Sequence, residues 1–389
     1  MKQIYLDNNS TTPIDPDVFE VMTSCYELGY ANPASQHRTG QAARRKLEQL
    51  RTEIVGMLGG QTSGMDADRL IFTSGGTESN NLAVLGLAHL PEGDLPVEKQ
   101  VLVSSIEHPS VIGAGQQLAR LGFQVRQIPV DKNGVVDIGE VQRLLEKPTR
   151  LVSVMMANNE TGVIQPVAQI ASLCREKGVM MHTDAVQAVG KIPVSFGELG
   201  VDALSLTAHK LHGPRGIGGL LLKHTATPSP IVFGGFQQMA IRPGTEDVAL
   251  VAGMHKAVSL YSEAQCCRLR ELRNELQCSI RSAFPDVVVN GELAERTPHT
   301  LNLSFPGVNR QALLMASDIA GLAISTGSAC ASGSSEPSPV LVAMGADSDV
   351  VEGSIRISLG RQNTAAEINL AAERIIKLIN DLRPQKTTP

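Results

Sequence analysis

From about Leu70 to Leu222, short aliphatic runs alternate with stretches whose apolar positions recur every three or four residues. RLIFTS (69–74), QVLVSS (100–105), QVRQIPV (124–130), RLVSVMMA (150–157), GVMMHTD (178–184), ALSLTA (203–208) and GGLLLK (218–223) predict strands. They are short, rich in aliphatic or β-branched residues, and bounded by polar turns. Amphipathic patterns lie between several of them, such as PVAQIASLCREKG (166–178), which ends on a glycine suited to close a helix. Apolar strands alternating with helices predict an α/β fold with a mostly parallel, seven-stranded sheet covered on both faces.

Past Tyr261 the pattern changes. SEAQCCRLRELRNELQCSIRSAFP (262–285) predicts a long helix with charged faces that stops before Pro285. HTLNLSFPG, the Gly/Ser-rich ISTGSACASGSSEPSP (324–339), SIRISLG and the amphipathic TAAEINLAAERIIKLINDLRP (364–384) follow. This is an α+β segment with a core of its own. The expected division is a large domain over 15–260 and a smaller one from 1–14 and 261–389, which carries a mobile cysteine loop at about 324–339. No internal repeat is present.

Composition narrows the functional classes. The chain has 389 residues, 42% hydrophobic and 19% charged, which suits two ordinary globular domains. Aromatic residues make up 3%, Trp is absent, net charge is −5 and no Lys/Arg tract occurs, so nucleic acid is not the expected ligand. No apolar run approaches the roughly 20 residues that span a bilayer, and MKQIYLDNNSTTP turns polar too early for a signal peptide. A cytoplasmic protein without a membrane partner is the expectation. Six cysteines show no metal-type spacing with histidine, so neither a metal site nor a disulfide framework is expected. Cys25, Cys174, Cys266, Cys267 and Cys278 fall in helical stretches and read as small buried or half-buried apolar residues. Cys330 is different, because the loop around it has no core pattern.

Open α/β sheets bind ligands beyond the carboxyl ends of their strands, so the residues there carry the functional reading. After RLIFTS comes GGTESNN, where Gly75, Gly76 and Thr77 open a helix; exposed N–H groups there attract phosphate, and a plain capped turn fits equally. Asn158, Asn159 and Glu160 follow RLVSVMMA and read alone as a turn. Asp184, with Gln187 just after it, ends an apolar strand; its carboxylate should face a cation or cap the next helix. His209 and Lys210 end ALSLTA, where a partly desolvated lysine suits covalent attachment of an aldehyde and a solvated one is the plainer reading. His108, in SSIEHPSV, can stack on a ring or cap a helix. In combination, a phosphate turn, an Asp for a pyridinium nitrogen and a Lys for an aldehyde are the parts of a pyridoxal 5'-phosphate site.

The segments HTDAVQAVGK, LSLTAHKLHGPRGIGGLLLK and STGSACASGSSEPSPVLVAMG closely resemble the pyridoxal phosphate-dependent cysteine desulfurases of the NifS/IscS type. These form part of the class V branch of the fold type I enzymes. The resemblance extends from YLDNNSTTP to SIRISLGR. It implies that Gly76, Thr77, Thr207 and His209 bind the cofactor phosphate, and that Thr245 reaches the phosphate of the other subunit of a homodimer. By the same matching, Asn159 and Gln187 lie near the ring and its 3′-oxygen. Asp184 partners the ring nitrogen, Lys210 carries the cofactor, and His108 stacks and transfers protons. Arg356 holds the substrate carboxylate, with Asn159 beside the substrate. Cys330 takes sulfur from L-cysteine and passes it to an acceptor protein, an iron–sulfur scaffold or a tRNA-thiolation sulfurtransferase.

In FGGFQQMAIRPGT the family's pattern is broken at Phe236, Gln238, Met239 and Ala240, while Arg242, Gly244 and Thr245 remain. The departure falls on the pocket rim and the dimer contacts. Thr207 stands where many members have Ser and keeps the hydroxyl. The competing readings are a selenocysteine lyase or other class V aminotransferase, and a non-enzymatic sulfur-carrier scaffold. An aminotransferase has no use for Cys330, and the intact set Asp184, His209, Lys210 and Cys330 speaks against a scaffold.

Overall fold

The computed structural model describes residues 3–88, 100–327 and 336–383. Its strands are β1 (Ile4–Tyr5), β2 (Arg69–Thr73), β3 (Gln100–Ser104), β4 (Gln124–Ile128), β5 (Thr149–Ser153) and β6 (Met180–Asp184). They continue with β7 (Ala203–Thr207), β8 (Gly218–Leu222), β9 (Val288–Val289), β10 (Thr300–Ser304), β11 (Leu322–Ala323) and β12 (Ser354–Ser358). The seven expected central strands all form, and they make one sheet in the order β2-β8-β7-β6-β5-β3-β4. Only β8 runs against its neighbours, antiparallel to both β2 and β7. The other six strands therefore point the same way and bring their carboxyl ends to one edge.

Burial explains why these runs carry no polar alternation. Val101 and Val103 face one side of β3 and Leu102 the other; Ala203, Leu220 and Leu222 share the first side, and Leu204, Leu206 and Leu221 the second. Each face packs under helices, so both sets of alternate residues are apolar. Edge strand β4 departs from the expectation of cover on both faces, since Gln124, Arg126 and Gln127 are exposed.

A separate core gathers Ile4 and Leu6 with Leu272, Leu276, Leu301, Leu303, Ile355, Ile357 and Ile375. Here β12, β10 and β9 pair antiparallel, and β1 lies parallel to β11. The long helix runs Glu263–Ala283 and the last helix Ala365–Leu382, the latter opened by a capping box of Thr364 and Glu367. The five described cysteines are helical and free. Cys25, Cys174 and Cys266 are buried as expected, whereas Cys267 and Cys278 are exposed, because the 3.6-residue turn rotates them off the packed face. No helix among the described residues is long and apolar enough to cross a membrane.

Candidate active site

The residues that follow β2, β3, β5, β6 and β7 converge at the shared sheet edge, and each is placed by a local device. Helix Gly76–Ala88 begins immediately after the β2 turn, so the first-turn N–H groups of Gly76 and Thr77 have no acceptor one turn back. Glycine is required at 76, because a Cβ there would stand 2.9 Å from Val186 Cγ2 and 3.7 Å from Thr207 Cβ. Gly76 and Thr207 thus face each other across a cradle that any side chain at 76 would fill. Thr207 itself is buried and donates to Ile217 O at 3.0 Å.

Asp184 ends β6 and is 4% exposed. Asn80 Nδ2 donates to its Oδ2 at 2.7 Å and Val186 N to its Oδ1 at 2.9 Å, but it forms no ion pair among the described residues. Asn80 also donates to Ser110 Oγ at 2.9 Å, and Ser110 Oγ lies 2.7 Å from His108 Nδ1. A continuous chain of polar contacts therefore joins Asp184 to His108. His108 caps helix Pro109–Arg120, its Nδ1 accepting from Ser110 N at 3.1 Å, which leaves Nε2 as the ring nitrogen that carries a hydrogen. The preceding residue, Glu107, is buried. Its Oε1 accepts from Ser104 Oγ at 2.5 Å and Met155 N at 2.6 Å, while Oε2 has no partner among the described residues. Burial outweighs those two bonds and, with Asp184 nearby, pushes the Glu107 carboxyl up to about 8.

Lys210 closes a short 3-10 turn directly after β7. Its Nζ donates to Asn9 O at 2.5 Å and Ser10 O at 2.6 Å. Gln187 Nε2 donates to the same Asn9 O at 3.0 Å, and Lys191 Nζ donates to Gln187 Oε1 at 2.6 Å. Burial, then Lys210 and Arg356, hold the Lys191 amine well below the ordinary lysine range. His209 Nδ1 lies 3.2 Å from Thr11 Oγ1, and burial followed by Lys210, Lys191 and Arg215 brings its ring down to about 4, so it is neutral.

Arg356, on β12, is 2% exposed. Its Nη2 donates to Asp7 Oδ1 at 2.7 Å and Ser10 Oγ at 2.9 Å; its Nη1 donates to Asn159 O at 3.0 Å and Gly327 O at 3.4 Å. Nε is buried without a partner among the described residues. Asn159 is drawn in by its backbone, with Asn9 Nδ2 donating to the same Asn159 O at 3.1 Å.

The structure thus brings Gly76, Thr77, Thr207, His108, Asp184, Gln187, His209, Lys210, Asn159 and Arg356 to one edge. Thr245 lies apart, exposed and lining a cavity of about 380 Å³ with Tyr26, Tyr30 and Asp247. Arg242 stays with the turn after β2, donating from Nε to Glu78 Oε1 at 2.8 Å, while Ser74 N donates to Glu78 Oε2 at 2.6 Å. Cys330 falls outside the described residues.

Sequence reading assigned no role to Asn80 and Ser110, and none to the strip Asp7–Thr12. Asn80 sits one turn past Gly76 on a helix and looks like a surface residue. The strip did carry a signal: Asn8, Asn9 and Thr12 are polar residues directly after an apolar strand, and all three are buried.

Pyridoxal phosphate fits this arrangement. The cradle at Gly76 and Thr207 leaves room that a Cβ would take, and helix N–H groups point to an anion. A buried carboxylate without a cation fits a protonated ring nitrogen. Lys210, within reach of the same edge, would hold the aldehyde carbon.

The Aminotransferase class-V family matches residues 4–370. A cysteine desulfurase IscS of Dictyoglomus turgidum is 38% identical over 391 residues, covering 99% of this chain and 97% of the relative. A NifS-like protein from Rickettsia africae superposes with a TM-score of 0.87 at 30% identity, covering 97% of this chain and 99% of that one. SspA in complex with cysteine gives 0.80 at 30% identity, over 92% and 99% of the two chains. The fold, the strand-end residues and these full-length similarities together show that the chain belongs to the class V aminotransferase family, among its pyridoxal phosphate-dependent cysteine desulfurases.

Proposed function

We propose that the protein removes sulfur from L-cysteine to give L-alanine and a persulfide on Cys330. The observation that carries this reading is the buried Asp184, which has no ion pair among the described residues and is joined through Asn80 and Ser110 to His108 at the edge that also holds Lys210. Bound pyridoxal phosphate supplies an electron sink for the substrate's α-carbon. Asp184 holds a proton on the ring nitrogen. Lys210 Nζ is the attachment point and moves the α-proton. Arg356 binds the substrate carboxylate, with Nε and the Nη2 now on Asp7 forming a two-pronged donor once Asp7 yields. His108 moves a proton at Nε2, and Asn159 and Gln187 would lie near the ring.

The Cys330 thiolate attacks the substrate sulfur. The substrate Cβ–S bond breaks, a new S–S bond forms, and the electron pair of the broken bond goes to carbon, which takes up a proton. The substrate carbon is reduced by two electrons while each of the two sulfurs gives up one. L-Cysteine plus a thiol therefore becomes L-alanine plus a persulfide with no outside oxidant. The persulfide passes to an acceptor protein, an iron–sulfur scaffold or a sulfurtransferase. The chain acts in the cytoplasm as a homodimer in which Thr245 serves the partner's phosphate site; its exposure beside an open cavity supports that role. The separate cores support a division into residues 15–260 and residues 1–14 with 261–389.

The test is Cys330→Ala in the holoenzyme. Alanine and persulfide production from L-cysteine are lost, while the cofactor's visible absorbance is kept. Turnover that survives the substitution overturns the reading, and side-by-side rates with L-selenocysteine separate it from a selenocysteine lyase.

A further inference from the structure

Glu160 is a buried carboxyl, 3% exposed, to which the proposed chemistry gives no task. Its backbone is fixed on both sides: its N–H donates to Asn158 Oδ1 at 2.9 Å and its C=O accepts from Asn302 Nδ2 at 3.2 Å. Its Oε2 accepts from Ser338 Oγ at 2.5 Å. Ser338 is 1% exposed, and its hydroxyl also caps helix Pro339–Ala343 by accepting from Leu341 N at 3.1 Å.

The same oxygen meets the chain a second time. Gly327 has φ +86°, and a Cβ built there would stand 2.5 Å from Glu160 Oε2 and 3.1 Å from its Cδ. Gly327 is therefore packed against the carboxyl in a conformation and a space that admit only glycine. It is steadied by Arg356, which donates to Gly327 O, and Ser325 two residues earlier exchanges backbone hydrogen bonds with Arg356 at 3.1 and 2.6 Å.

Residues 327 and 338 bracket the segment that contains Cys330. We propose that Glu160 is a positioning residue whose carboxyl fastens both stems of that segment, Gly327 by close packing and Ser338 by a hydrogen bond, so that Cys330 is delivered to the substrate sulfur from a fixed base. The proposal rests on Cys330 being the sulfur-accepting thiol. Covalent geometry gives it a scale: Cys330 is three residues from Gly327, so its Cα stays within about 11 Å of that anchor. Releasing the anchor enlarges the volume the thiol must search and lowers its effective concentration at the substrate. Burial also favours the protonated Glu160, against the Ser338 bond, Arg356 and Arg310.

The test compares Ser338→Ala, Ser338→Thr and Glu160→Gln holoenzymes with the unaltered chain. Three rates are read: the change in cofactor absorbance on adding L-cysteine, the gain of one sulfur on Cys330 by mass spectrometry in a single turnover, and the discharge of the preformed persulfide to dithiothreitol. In Ser338→Ala the sulfur gain slows about tenfold or more, while the absorbance change and the discharge keep their rates; Glu160→Gln, whose amide oxygen still accepts from Ser338 Oγ, slows the gain less. Ser338→Thr, which keeps the hydroxyl, restores the gain. Unchanged sulfur gain in Ser338→Ala, or a parallel loss of all three rates that Ser338→Thr fails to restore, overturns the proposal. If Cys330 of the unaltered chain gains no sulfur, the desulfurase reading fails together with it; a normal gain there with no slowing in the variants overturns this proposal alone. The Ser338 pair decides the matter even where Glu160→Gln does not fold.

Discussion

Gln238 occupies a position where the family pattern is broken, and its side chain does what a neighbouring strand would do. Strand β2 is an edge of the large sheet. Gln238 Oε1 accepts from Phe72 N at 2.7 Å, and Nε2 donates to Phe72 O at 2.9 Å, so the amide pairs with both backbone groups of that residue. Nε2 also donates to Arg242 O at 3.3 Å, and Arg51 Nη1 donates to Oε1 at 3.1 Å while its guanidinium lies 4.5 Å from the Phe72 ring centroid. Gln238, Met239 and Ala240 all have positive φ, at 48°, 59° and 59°, a conformation that costs each roughly 1–2 kcal/mol. Gln238→Ala removes all four of these hydrogen bonds; the two to Phe72 alone are worth about 1 kcal/mol each, and the buried Phe72 groups are left unpaired at about 1–3 kcal/mol more. Relaxation of the strained turn returns part of this, leaving a net loss of about 3 kcal/mol, or about a hundredfold in the local opening equilibrium. Amide hydrogen exchange over Arg69–Thr73 reads that opening directly, with β12 as the internal control. Gln238→Glu has the same length but turns an acceptor toward Phe72 O, so it is as damaging as Ala. Exchange within threefold of the unaltered protein in Gln238→Ala, or full protection in Gln238→Glu, refutes the pairing argument.

Further predictions concern the site itself. Glu107 holds its proton up to about 8 in the folded chain, against an ordinary 4.5, so the folded state binds more protons between those values and stability falls as pH rises through that window. Glu107→Gln removes up to about 1.4 kcal/mol of slope per pH unit, seen as denaturant midpoints that flatten between about pH 5 and 8. Arg356→Lys cannot span Asp7, Ser10 and Asn159 O together, and KM for L-cysteine rises about thirtyfold at constant cofactor absorbance. Gly76→Ala drives a Cβ to 2.9 Å from Val186 Cγ2 and weakens cofactor binding about tenfold in titrations of the apoprotein; adding Val186→Ala restores it.

The sheet was legible because its strands are buried on both faces, so each appears as an uninterrupted aliphatic run between turn residues. The reversed direction of β8 was legible too, though unread: the ten residues 208–217 between β7 and β8 are too few for a parallel crossover. Asp184 and Lys210 stood out because charge directly after an apolar strand is costly without a purpose. Asn80, Ser110 and Glu160 did not, because their importance lies in which distant residues they meet. Asn80 touches Asp184 across 104 positions and Glu160 touches Ser338 across 178, and helical or turn periodicity carries nothing about such pairs.

The strip Asp7–Thr12 has a consequence for biogenesis. Asn8 Nδ2 donates to Ser358 O at 2.9 Å across 350 positions, and Asn9 N donates to Ser358 Oγ at 2.9 Å. The same strip supplies the carbonyls that hold Lys210 and the acceptors that hold Arg356. Although translated long before β12, it cannot be seated until β12 has left the ribosome, because many of its partners do not yet exist. A nascent chain thus emerges with Lys210 unharnessed, and competence to capture the cofactor arrives only once β12 has emerged. Chains cut short before Ser354 should accumulate as apoprotein however well their large sheet has formed.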